Sequence, residues 1–398
     1  MTSLPAIQDI DVKGKIILIR ADLNVPLSDG KVGDATRIER FAPTIKMLSQ
    51  KGAKVVILTH IGRPKGEANP AFSTLQIMPT LEKALGQKVQ YVDDCIGEKV
   101  KKATHALIEG EVMLLENIRF YKGEEKNEHD FAAQLAQNGD IFVNDAFSVS
   151  HRAHASTHGI TDYLPSYAGP SLLAEVNALT AALETPKRPV VAVVGGAKVS
   201  TKIAVLNHLS AKLDHLIIGG GMANTFLAAQ GKNVGKSLCE HELLDEARVI
   251  IAECEKQGCQ IHLPIDVVVA QEFKANADHQ NVSVDAIPKE AMALDSGNAS
   301  IEECKKLIEN CATILWNGPL GAFEISPFGA ATFALAQYAA QRTKEGKLIS
   351  VAGGGDTVAA LNMAEVGDDF TYVSTAGGAF LEWLEGKDLP GISALMKG

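Results

Sequence analysis

The sequence predicts an α/β protein with two doubly wound domains, and three observations lead to that prediction. Short Val-, Ile- and Leu-rich runs are continuous rather than alternating, which is typical of strands buried on both faces of a parallel sheet. Segments with helical periodicity lie between these runs. The 398 residues exceed the roughly 250–300 at which a single core stops growing. We therefore expect two Rossmann-like, parallel-sheet domains joined by a hinge.

The predicted strands and helices alternate along the whole chain. The strands are 15–20, 54–59, 112–116, 141–145, 190–194, 215–218, 261–270, 313–316, 347–352 and 370–374. The helices are 36–50, 128–138, 171–184, 200–212, 222–230, 240–257, 300–310, 329–345 and 357–364. Each helical segment repeats apolar residues at a spacing of three to four.

The domain boundary is predicted at 185–189, Thr-Pro-Lys-Arg-Pro. Two prolines and two cations within five residues make a stiff, exposed connector, so this segment is the expected hinge. The N-terminal domain is then 1–184 and the C-terminal domain 190–384.

Composition excludes several classes of protein. A net charge of −10 argues against binding to nucleic acid or to an anionic membrane, because phosphate-rich surfaces recruit basic proteins. No apolar run approaches the roughly 18 residues of a membrane span, and the N-terminus lacks a secretory signal, so we expect a cytoplasmic protein. The six cysteines show no zinc-ligand spacing and are expected to be reduced thiols.

Glycine and arginine are divided unequally between the two halves. Residues 1–184 contain 13 of the 35 glycines and six arginines, whereas 185–398 contain 22 glycines and three arginines. In the second half the glycines form blocks where predicted strands end, at 195–196, 219–221, 353–355 and 377–378. Ligands of open α/β sheets bind at the carboxyl ends of the strands, so the two halves are expected to hold different anions.

Two familiar phosphate-binding patterns fail in the glycine-rich half. The blocks that begin at Gly219 and Gly353 lack the third glycine of the dinucleotide fingerprint. Segment 231–237 imitates a P-loop, but its first glycine is one position late and the segment before it is helical.

A less regular phosphate site remains in the same half. Gly195-Gly196 follows a predicted strand, and Lys198 and Lys202 lie four residues apart at the start of the next helix. Gly353–Gly355 repeats the arrangement with Asp356, which is either a ligand for Mg²⁺ or a plain helix cap. Segment 316–324 supplies apolar surface for a base and Glu324 for a ribose hydroxyl. This half is expected to bind a nucleotide.

In the first half, polar and basic side chains follow or flank the predicted strands. Arginine bonds phosphate and carboxylate in a bidentate manner, so this set suits a small ligand with two anionic groups. The histidines His151 and His154 are weak evidence for a metal, since no third ligand is near in sequence. The set is Asp22, Asn24, Arg37, His60, Arg63, Arg119 and Arg152.

Ten motifs, in order along the chain, resemble those of the phosphoglycerate kinase family. They are RADLNVPL at 20–27, THIGRP at 59–64, LLENIRF at 114–120, VNDAFSVSHRAHAS at 143–156, GGAKVSTKI at 195–203, IGGGMANTFL at 218–227, LPIDVVVA at 263–270, WNGPLGAFE at 316–324, GGGDT at 353–357 and LPGI at 389–392. The resemblance implies reversible phosphoryl transfer from 1,3-bisphosphoglycerate to ADP, which gives 3-phosphoglycerate and ATP in glycolysis, with Mg²⁺ as cofactor. It also implies a monomer whose tail, 385–398, packs on the N-terminal domain.

Carried over by motif, the resemblance implies roles for individual residues. The phosphoglycerate would be bound by Asp22, Leu23, Asn24, Arg37, His60, Ile61, Gly62, Arg63, Arg119 and Arg152. The nucleotide would be bound by Gly196, Ala197, Lys198, Lys202, Gly220, Asn317, Pro319, Glu324, Gly353, Gly354, Gly355, Asp356 and Thr357. Catalysis would fall to Arg37, Lys198, Gly377 and Gly378, and Asp356 would bind Mg²⁺.

Two positions depart from the family pattern. Ala376 stands where the family has a glycine, in Ser374-Thr-Ala376-Gly-Gly-Ala379, and Asn298 ends a segment that usually reads DIGP. The first departure affects a backbone approach to phosphate; the second touches a loop with no expected chemical role.

Two rival functions fit the same architecture. A nicotinamide-dependent dehydrogenase shares the two-domain α/β scaffold, although the missing third glycines count against it. A sugar-phosphate or nucleotide-binding protein without catalytic activity would close by a similar hinge. Turnover of ATP with 3-phosphoglycerate and Mg²⁺ separates these possibilities.

Overall fold

The structure is a computed structural model that describes residues 4–28 and 30–397. The chain divides into two compact units. Unit 1 consists of two stretches, the described residues up to Val176 and those from Asp388 onward, and unit 2 is Asn177–Lys387. The division falls inside the helix Pro170–Leu183, and segment 185–189 lies within unit 2. A hinge at 185–189 stays a prediction.

Unit 1 is built on a six-stranded parallel sheet with a short antiparallel hairpin beside it. Its strands are β1 (Ile16–Arg20), β2 (Leu27–Ser28), β3 (Lys31–Val32), β4 (Lys54–Leu58), β5 (Val89–Val92), β6 (Val112–Leu115), β7 (Ile141–Asn144) and β8 (Ser166–Ala168). The sheet order is β5-β6-β4-β1-β7-β8, and β2 pairs with β3. Its helices are α1 (Thr36–Gln50), α2 (Met78–Leu85), α3 (Glu98–Ala106), α4 (Lys122–Glu125) and α5 (His129–Ala136), followed by α6 (Pro170–Leu183), which leads into unit 2.

The central strands of unit 1 explain the continuous apolar runs. Ile17 and Ile19 of β1 face one hydrophobic core, while Ile16 and Leu18 face another on the opposite side of the sheet. Every residue of β1 is buried. Because helices cover both faces, the four positions 16–19 all carry apolar side chains, and only the last residue, Arg20, is charged.

Unit 2 contains a parallel sheet and a smaller antiparallel one. Its strands are β9 (Val190–Val194), β10 (His215–Ile218), β11 (Gln260–His262), β12 (Asp266–Ala270), β13 (His279–Ser283), β14 (Met292–Ser296), β15 (Thr313–Asn317), β16 (Ile349–Gly353) and β17 (Tyr372–Ser374). The parallel order is β11-β10-β9-β15-β16-β17, and the antiparallel order is β13-β12-β14. Its helices are α7 (Ile203–Ser210), α8 (Gly221–Ala229), α9 (Leu244–Gln257), α10 (Asn298–Glu309), α11 (Ala330–Lys344), α12 (Gly355–Met363) and α13 (Gly377–Leu384).

The parallel strands of unit 2 follow the order 3-2-1-4-5-6 of a doubly wound nucleotide-binding sheet. The order reverses between β9 and β15, and this switch point is where such sheets leave a crevice for a ligand. The two six-stranded parallel sheets confirm the predicted fold class.

The prediction of one parallel strand over 261–270 is wrong. The chain forms two strands, β11 in the parallel sheet and β12 at the centre of the antiparallel one. Pro264 lies between them and cannot donate a ladder hydrogen bond, so the run breaks there. An apolar run alone does not tell which sheet its strand joins.

Short or half-exposed elements were missed by the sequence prediction. Strands β5, β8 and β13 lie at sheet edges and carry polar residues, so they lack the apolar signal of the central strands. Helices α2, α3, α4 and α13 and strands β2, β3 and β14 were also absent from the predicted set.

The C-terminal segment packs on unit 1 through the helix α14 (Pro390–Ser393). The Gly391 amide donates to the Ser150 carbonyl at 2.8 Å, and Asn144 Nδ2 donates to the Gly391 carbonyl at 2.9 Å. A Cβ at Gly391 would lie 2.9 Å from Ser150 Cα, so the close approach requires glycine. Leu389, Ile392 and Leu395 are buried.

Over residues 4–28 and 30–397, no helix is long and apolar enough to cross a membrane.

Candidate active site

In unit 1, the polar set predicted from sequence follows four neighbouring strands. Strands β6, β4, β1 and β7 are adjacent and parallel, so their carboxyl ends meet at one edge of the sheet. Segments 20–24, 59–63 and 116–119 leave that edge after β1, β4 and β6. Arg37, in the first turn of α1, reaches the same edge.

Asp22 holds Arg37 at the edge. Arg37 Nη1 donates to Asp22 Oδ2 at 2.5 Å, and the Ser148 hydroxyl donates to the same oxygen at 2.5 Å. The Arg37 side chain is 37% exposed and Asp22 15%. A half-exposed guanidinium fixed at one nitrogen keeps its remaining donors for an anion.

Asn24, Gly62 and Arg119 form a second linked group. The Gly62 amide donates to Asn24 Oδ1 at 2.8 Å, and Arg119 Nη1 donates to the Gly62 carbonyl at 3.1 Å. Gly62 has φ +62, and a Cβ there would lie 2.5 Å from the Phe72 ring, so only glycine fits. Arg119 Nε lies 3.6 Å from a Glu125 carboxylate oxygen.

Leu23 and Ile61 are buried and position the loops rather than facing the surface. The Leu23 amide donates to the Thr59 hydroxyl at 3.2 Å, and the Ile61 carbonyl accepts from Asn117 Nδ2 at 2.8 Å. Arg63 and Arg152 are exposed, and Arg152 Nε donates to His151 Nε2 at 3.1 Å.

His60 is almost fully buried beneath these groups. Its Nδ1 lies 3.0 Å from Arg20 Nη2. Burial, and then the charges of Arg20, Arg119 and Arg37 together with neighbouring His154, hold the pKa of His60 well below its usual range. His60 is therefore a neutral side chain near pH 7. Arg20 was not among the predicted site residues, although its position at the end of β1 was a signal.

In unit 2, two adjoining clefts lie at the switch point. The larger, about 500 Å³, has a mostly apolar lining, and the smaller, about 390 Å³, is lined by glycines, lysines and carboxyl or amide groups. Gly196, Ala197 and Asp356 line both clefts. The apolar cleft suits a planar base, and the polar cleft suits a chain of phosphates.

The apolar cleft contains three more of the predicted site residues, Gly220, Pro319 and Glu324, and also Gly321, Ala322 and Phe323 of the predicted segment 316–324. Trp316, by contrast, is buried in the core and donates to the Gly318 carbonyl at 2.8 Å. It supplies no surface for a base. Sequence reasoning missed Gly221 and Asn224 of α8, Lys236 and Leu238 after that helix, Phe273 after β12, and Met292, Ala293 and Leu294 of β14.

The missed residues carried only faint signals. Leu238 and Phe273 are large apolar side chains left 49% and 58% exposed, but exposure cannot be read from sequence. Lys236 belongs to the P-loop imitation at 231–237. It follows helix α8 rather than a strand, and it pairs with Glu290 at the wall of the cleft.

Lys198 and Lys202 both line the polar cleft, but not on one helix face as predicted. They flank a 3₁₀ turn, Val199–Thr201, and α7 begins only at Ile203. Lys198 is exposed. Lys202 Nζ donates to Asn317 Oδ1, and burial lowers the pKa of Lys202, an effect that Asp356 and Glu385 oppose.

The N-termini of α12 and α13 border the polar cleft. Gly355 begins α12 and Gly377 begins α13, and both line the cleft. A Cβ on Gly355 would meet nothing within 4 Å, and one on Gly377 only the Gly355 amide nitrogen at 4.0 Å. These two backbones are therefore open to a ligand, and free helix N–H groups favour anions.

Asp356 is not the cap of α12. The cap position is Gly354, with φ +100, and Asp356 follows in the first turn with an exposed side chain. The sequence left open whether Asp356 is a plain helix N-cap, and the structure shows that it is not. Thr357 instead braces the next loop, since its hydroxyl accepts from the Gly318 amide at 2.7 Å.

Several glycines serve the packing of loops rather than a ligand. A Cβ on Gly195 would lie 1.9 Å from the Pro319 carbonyl oxygen, and one on Gly220 2.7 Å from the Gly196 carbonyl oxygen. Gly353 packs on the Phe380 ring, and neither Gly353 nor Gly378 lines the polar cleft. Each glycine block therefore contributes at least one residue to a cleft, while other glycines of the same blocks are required by packing.

The two departures from the family pattern lie outside the clefts. Ala376 is buried, with φ −95, a conformation that does not require glycine. Asn298 begins α10, where its amide donates to Asn281 Oδ1 at 2.9 Å.

The six cysteines are free thiols, as expected. Within residues 4–28 and 30–397, no cluster of three or more His, Cys, Asp or Glu side chains is placed to bind a metal.

Comparison with known proteins decides the family. A family model described as phosphoglycerate kinase matches residues 7–387. The chain belongs to the phosphoglycerate kinase family.

Relatives support the assignment over the full length. A phosphoglycerate kinase of Rhizobium meliloti is 62% identical over 385 residues, which covers 97% of this chain and 96% of the relative. One from Allorhizobium ampelinum is 59% identical over 398 residues, with both chains fully covered. The solved phosphoglycerate kinase of Coxiella burnetii superposes with a TM-score of 0.93 at 44% identity, over 99% of each chain.

A more distant structure agrees. Phosphoglycerate kinase from Pyrococcus horikoshii superposes with a TM-score of 0.81 at 29% identity, over 99% of this chain and 98% of that one. The protein is thus a kinase of glycolysis that transfers phosphate to or from the carboxyl group of phosphoglycerate, with ADP and ATP as nucleotide substrates. The family resemblance inferred from the ten motifs is confirmed.

Proposed function

We propose that unit 2 binds ADP or ATP across its two clefts, and that the arginine-lined edge of unit 1 binds 3-phosphoglycerate or 1,3-bisphosphoglycerate. The observation that carries the proposal is the pair of adjoining clefts that share Gly196, Ala197 and Asp356, one with Leu238 and Phe273 in its lining and the other with Lys198 and Lys202. The base lies in the apolar cleft beside Pro319, with Glu324 at the ribose. The phosphates lie in the polar cleft.

The phosphoryl group passes directly between the substrates, with no covalent enzyme intermediate. The acceptor carboxylate has an ordinary pKa near 4 and is already an anion at neutral pH, so the enzyme needs no general base. Catalysis then rests on alignment and on neutralising charge in the transition state. Lys198 and Arg37 provide mobile or half-exposed cations for this role, and the N-termini of α12 and α13 provide N–H donors.

Lys202 has a different part, which is to anchor nucleotide phosphates. Its hydrogen bond to Asn317 fixes the ammonium, and Asn317 Nδ2 in turn donates to the Gly353 carbonyl at 2.8 Å. A lysine fixed on two neighbouring loops positions a phosphate but moves little during transfer.

The residues present fit Mg²⁺ bound together with a nucleotide. Mg²⁺ prefers oxygen ligands and commonly takes one or two carboxylates, with phosphates and water completing its shell. Asp356 is an exposed carboxylate at the junction of both clefts, and it would hold the ion there. The ion would supply charge neutralisation at the phosphates.

Because the two proposed substrate sites lie on different compact units, the units must close for the substrates to meet. Closure would also exclude water, which otherwise competes as acceptor. We further propose that the enzyme is a monomer working in the cytoplasm, and light scattering of the purified protein tests the first point.

Turnover tests the proposed reaction. Purified protein with ATP, 3-phosphoglycerate and Mg²⁺ should produce ADP and 1,3-bisphosphoglycerate, and EDTA should abolish the activity. Direct detection of ADP avoids a dehydrogenase-coupled readout. Undiminished formation of ADP in the presence of EDTA would contradict the proposed need for Mg²⁺.

Calorimetry tests the division of the sites. Lys202→Ala should weaken ADP binding and leave 3-phosphoglycerate binding unchanged, whereas Arg119→Ala should do the reverse. If either variant weakened both ligands equally, the assignment of one substrate to each unit would be wrong.

A further inference from the structure

A chain of hydrogen bonds runs beneath the arginine-lined edge of unit 1, from Glu124 to His60. The Ser156 hydroxyl donates to Glu124 Oε1 at 2.6 Å, and the Ser156 amide donates to Glu124 Oε2 at 3.0 Å. Arg20 Nε donates to Ser156 Oγ at 3.0 Å, and Arg20 Nη2 lies 3.0 Å from His60 Nδ1. Arg20, Ser156 and Glu124 are 0% exposed, and His60 is 4% exposed.

The direction of the last bond is set by valence. A guanidinium group carries only donors, so His60 Nδ1 must accept. A neutral imidazole that accepts at Nδ1 carries its hydrogen on Nε2. Among the residues the structure describes, this is the hydrogen bond that the His60 ring makes, so the Nε2–H group is left for a ligand.

Arg20 is held so that it cannot turn away from His60. Besides Ser156 and His60, it donates from Nη1 to the Ala21 carbonyl at 2.5 Å. All three guanidinium nitrogens of Arg20 therefore make a hydrogen bond. Ser156 connects Arg20 to the buried Glu124, whose carboxylate balances the charge of the guanidinium. Glu124 and Ser156 come from distant parts of the chain but meet behind β1, where the end of that strand places Arg20.

The charged and titratable groups that act on His60 come from four directions. Arg20 ends β1, Arg119 follows β6, Arg37 begins α1, and His154 lies after β7. Together with burial, all four oppose protonation of the ring by lowering the pKa of His60. A second proton on His60 would also break the bond from Arg20, since Nδ1 could no longer accept.

We propose that Arg20, anchored by Ser156 and Glu124, is a positioning residue that fixes His60 as the neutral Nε2–H tautomer and so turns a hydrogen-bond donor toward bound phosphoglycerate. The proposal rests on the assignment of the phosphoglycerate site to unit 1. Its consequence is that His60 binds the substrate without gaining or losing a proton, so this contact does not change with pH near neutrality.

The tautomer can be measured in the intact protein. In the full chain with ¹⁵N-labelled histidine, long-range ¹H–¹⁵N spectra should show His60 with an unprotonated Nδ1 and a protonated Nε2 from pH 5.5 to 8.5. Loss of one set of signals in His60→Gln assigns the resonance. A His60 ring that titrates near pH 6.5 in the wild-type protein, or that carries its hydrogen on Nδ1, would overturn the proposal.

A pair of adjacent hydroxyl variants tests the chain itself. Ser156→Ala removes the link between Arg20 and Glu124, and we expect His60 to show both tautomers and the KM for 3-phosphoglycerate to rise roughly two- to tenfold with little change in kcat. Thr157→Ala is the matched control, because Thr157 is equally buried but its hydroxyl bonds only to backbone groups, accepting from the His154 amide and donating to the carbonyls of Arg152 and His154. A single unchanged tautomer in Ser156→Ala would contradict the positioning role.

Addition of 3-phosphoglycerate separates this inference from the proposed function. The Nε2 signal of His60 should shift on saturation with 3-phosphoglycerate. A ring fixed as the Nε2–H tautomer that does not respond to the substrate would contradict the substrate site in unit 1, while the hydrogen-bond chain itself would stand.

Discussion

Lys198 and Lys202 line one cleft but differ in their surroundings, and the proposed function assigns them different roles for that reason. Lys202 is partly buried, and its ammonium is committed to Asn317. Lys198 is exposed on the opposite side of a 3₁₀ turn. An uncommitted cation is free to follow a phosphoryl group as its charge changes position during transfer, whereas a committed one holds the ground state.

Lys198→Ala should therefore lower kcat much more than it weakens ADP binding. Loss of a donor aimed at transition-state charge typically costs about 10²- to 10³-fold in kcat, and we expect the Kd for ADP to rise by less than about tenfold. Steady-state kinetics and calorimetry measure the two effects. Lys289→Ala, at an exposed lysine outside both clefts, is the control, and near-normal turnover in Lys198→Ala would remove Lys198 from the transition state.

The buried side chain of His154 makes the stability of the folded protein depend on pH. The residue is 4% exposed, and its Nδ1 atom lies 3.7 Å from Glu124 Oε1. Burial, followed by the charges of Arg119, Arg20 and Arg152, lowers the pKa of His154 to about 3 despite that carboxylate. Since the ordinary histidine pKa is near 6.5, the unfolded chain binds a proton that the folded chain refuses. The stabilisation is present above pH 6.5 and is lost as the pH falls toward 3.

The wild-type protein should thus lose stability in acid more steeply than His154→Gln. Between pH 7.5 and 5, one such histidine contributes a loss of about 2 kcal/mol in the free energy of unfolding of unit 1. Hydrogen exchange of the β1 amides in both proteins measures the difference. Asp145, whose pKa burial raises to about 6, changes stability in the opposite sense but equally in both. Parallel pH profiles would show that His154 is protonated in the folded state.

At the scale of elements, glycines at the ends of strands and the starts of helices fall into two groups. Gly353, the last residue of β16, is pressed against Phe380, whereas Gly355, the first of α12, faces open space. The first glycine is required by packing and the second by whatever fills the cleft. Two alanine substitutions in one short segment distinguish these requirements.

Gly355→Ala should leave the thermal midpoint unchanged or slightly raised, because alanine is the better helix former, and should weaken ADP binding. Gly353→Ala should lower the thermal midpoint, because its Cβ would lie 2.7 Å from the Phe380 ring. Thermal unfolding with and without ADP gives both quantities. If Gly355→Ala bound ADP as tightly as wild type, the α12 N-terminus would not contact phosphate.

A comparison of individual elements shows which parts of the fold could be predicted from the sequence and why the others could not. The central strands were identified because cores on both faces of the sheet make the run 16–19 of β1 and the run 55–58 of β4 apolar at every position. The antiparallel sheet was not, since β12 carries the same apolar run as a parallel strand. The arginines of the site could be named from motif and strand end, but Arg20 and Ser156 meet across 136 residues of chain. No local pattern shows such a contact, nor the exposure of Phe273.

At the scale of the whole molecule, the proposed sites for the two substrates lie on separate compact units. Each unit has its own parallel sheet and its own hydrophobic core, and its ligand site follows from the carboxyl ends of its strands. Separate sites let each substrate bind independently and restrict chemistry to the state in which both are present. A kinase gains from this arrangement, because a phosphoryl donor held alone in an open cleft is not aligned with any acceptor.

Small-angle X-ray scattering should show closure only when both substrates are bound. With 3-phosphoglycerate and a non-hydrolysable ATP analogue together with Mg²⁺, the radius of gyration should fall toward about 21 Å, the value for a fully compact chain of this length. Either ligand alone should leave it near the unliganded value. Lys202→Ala at subsaturating nucleotide should need more nucleotide for the same decrease, because it weakens the site without altering the units themselves. Full closure by one ligand would mean that a single site controls the conformation, and water exclusion would then no longer depend on the presence of the acceptor.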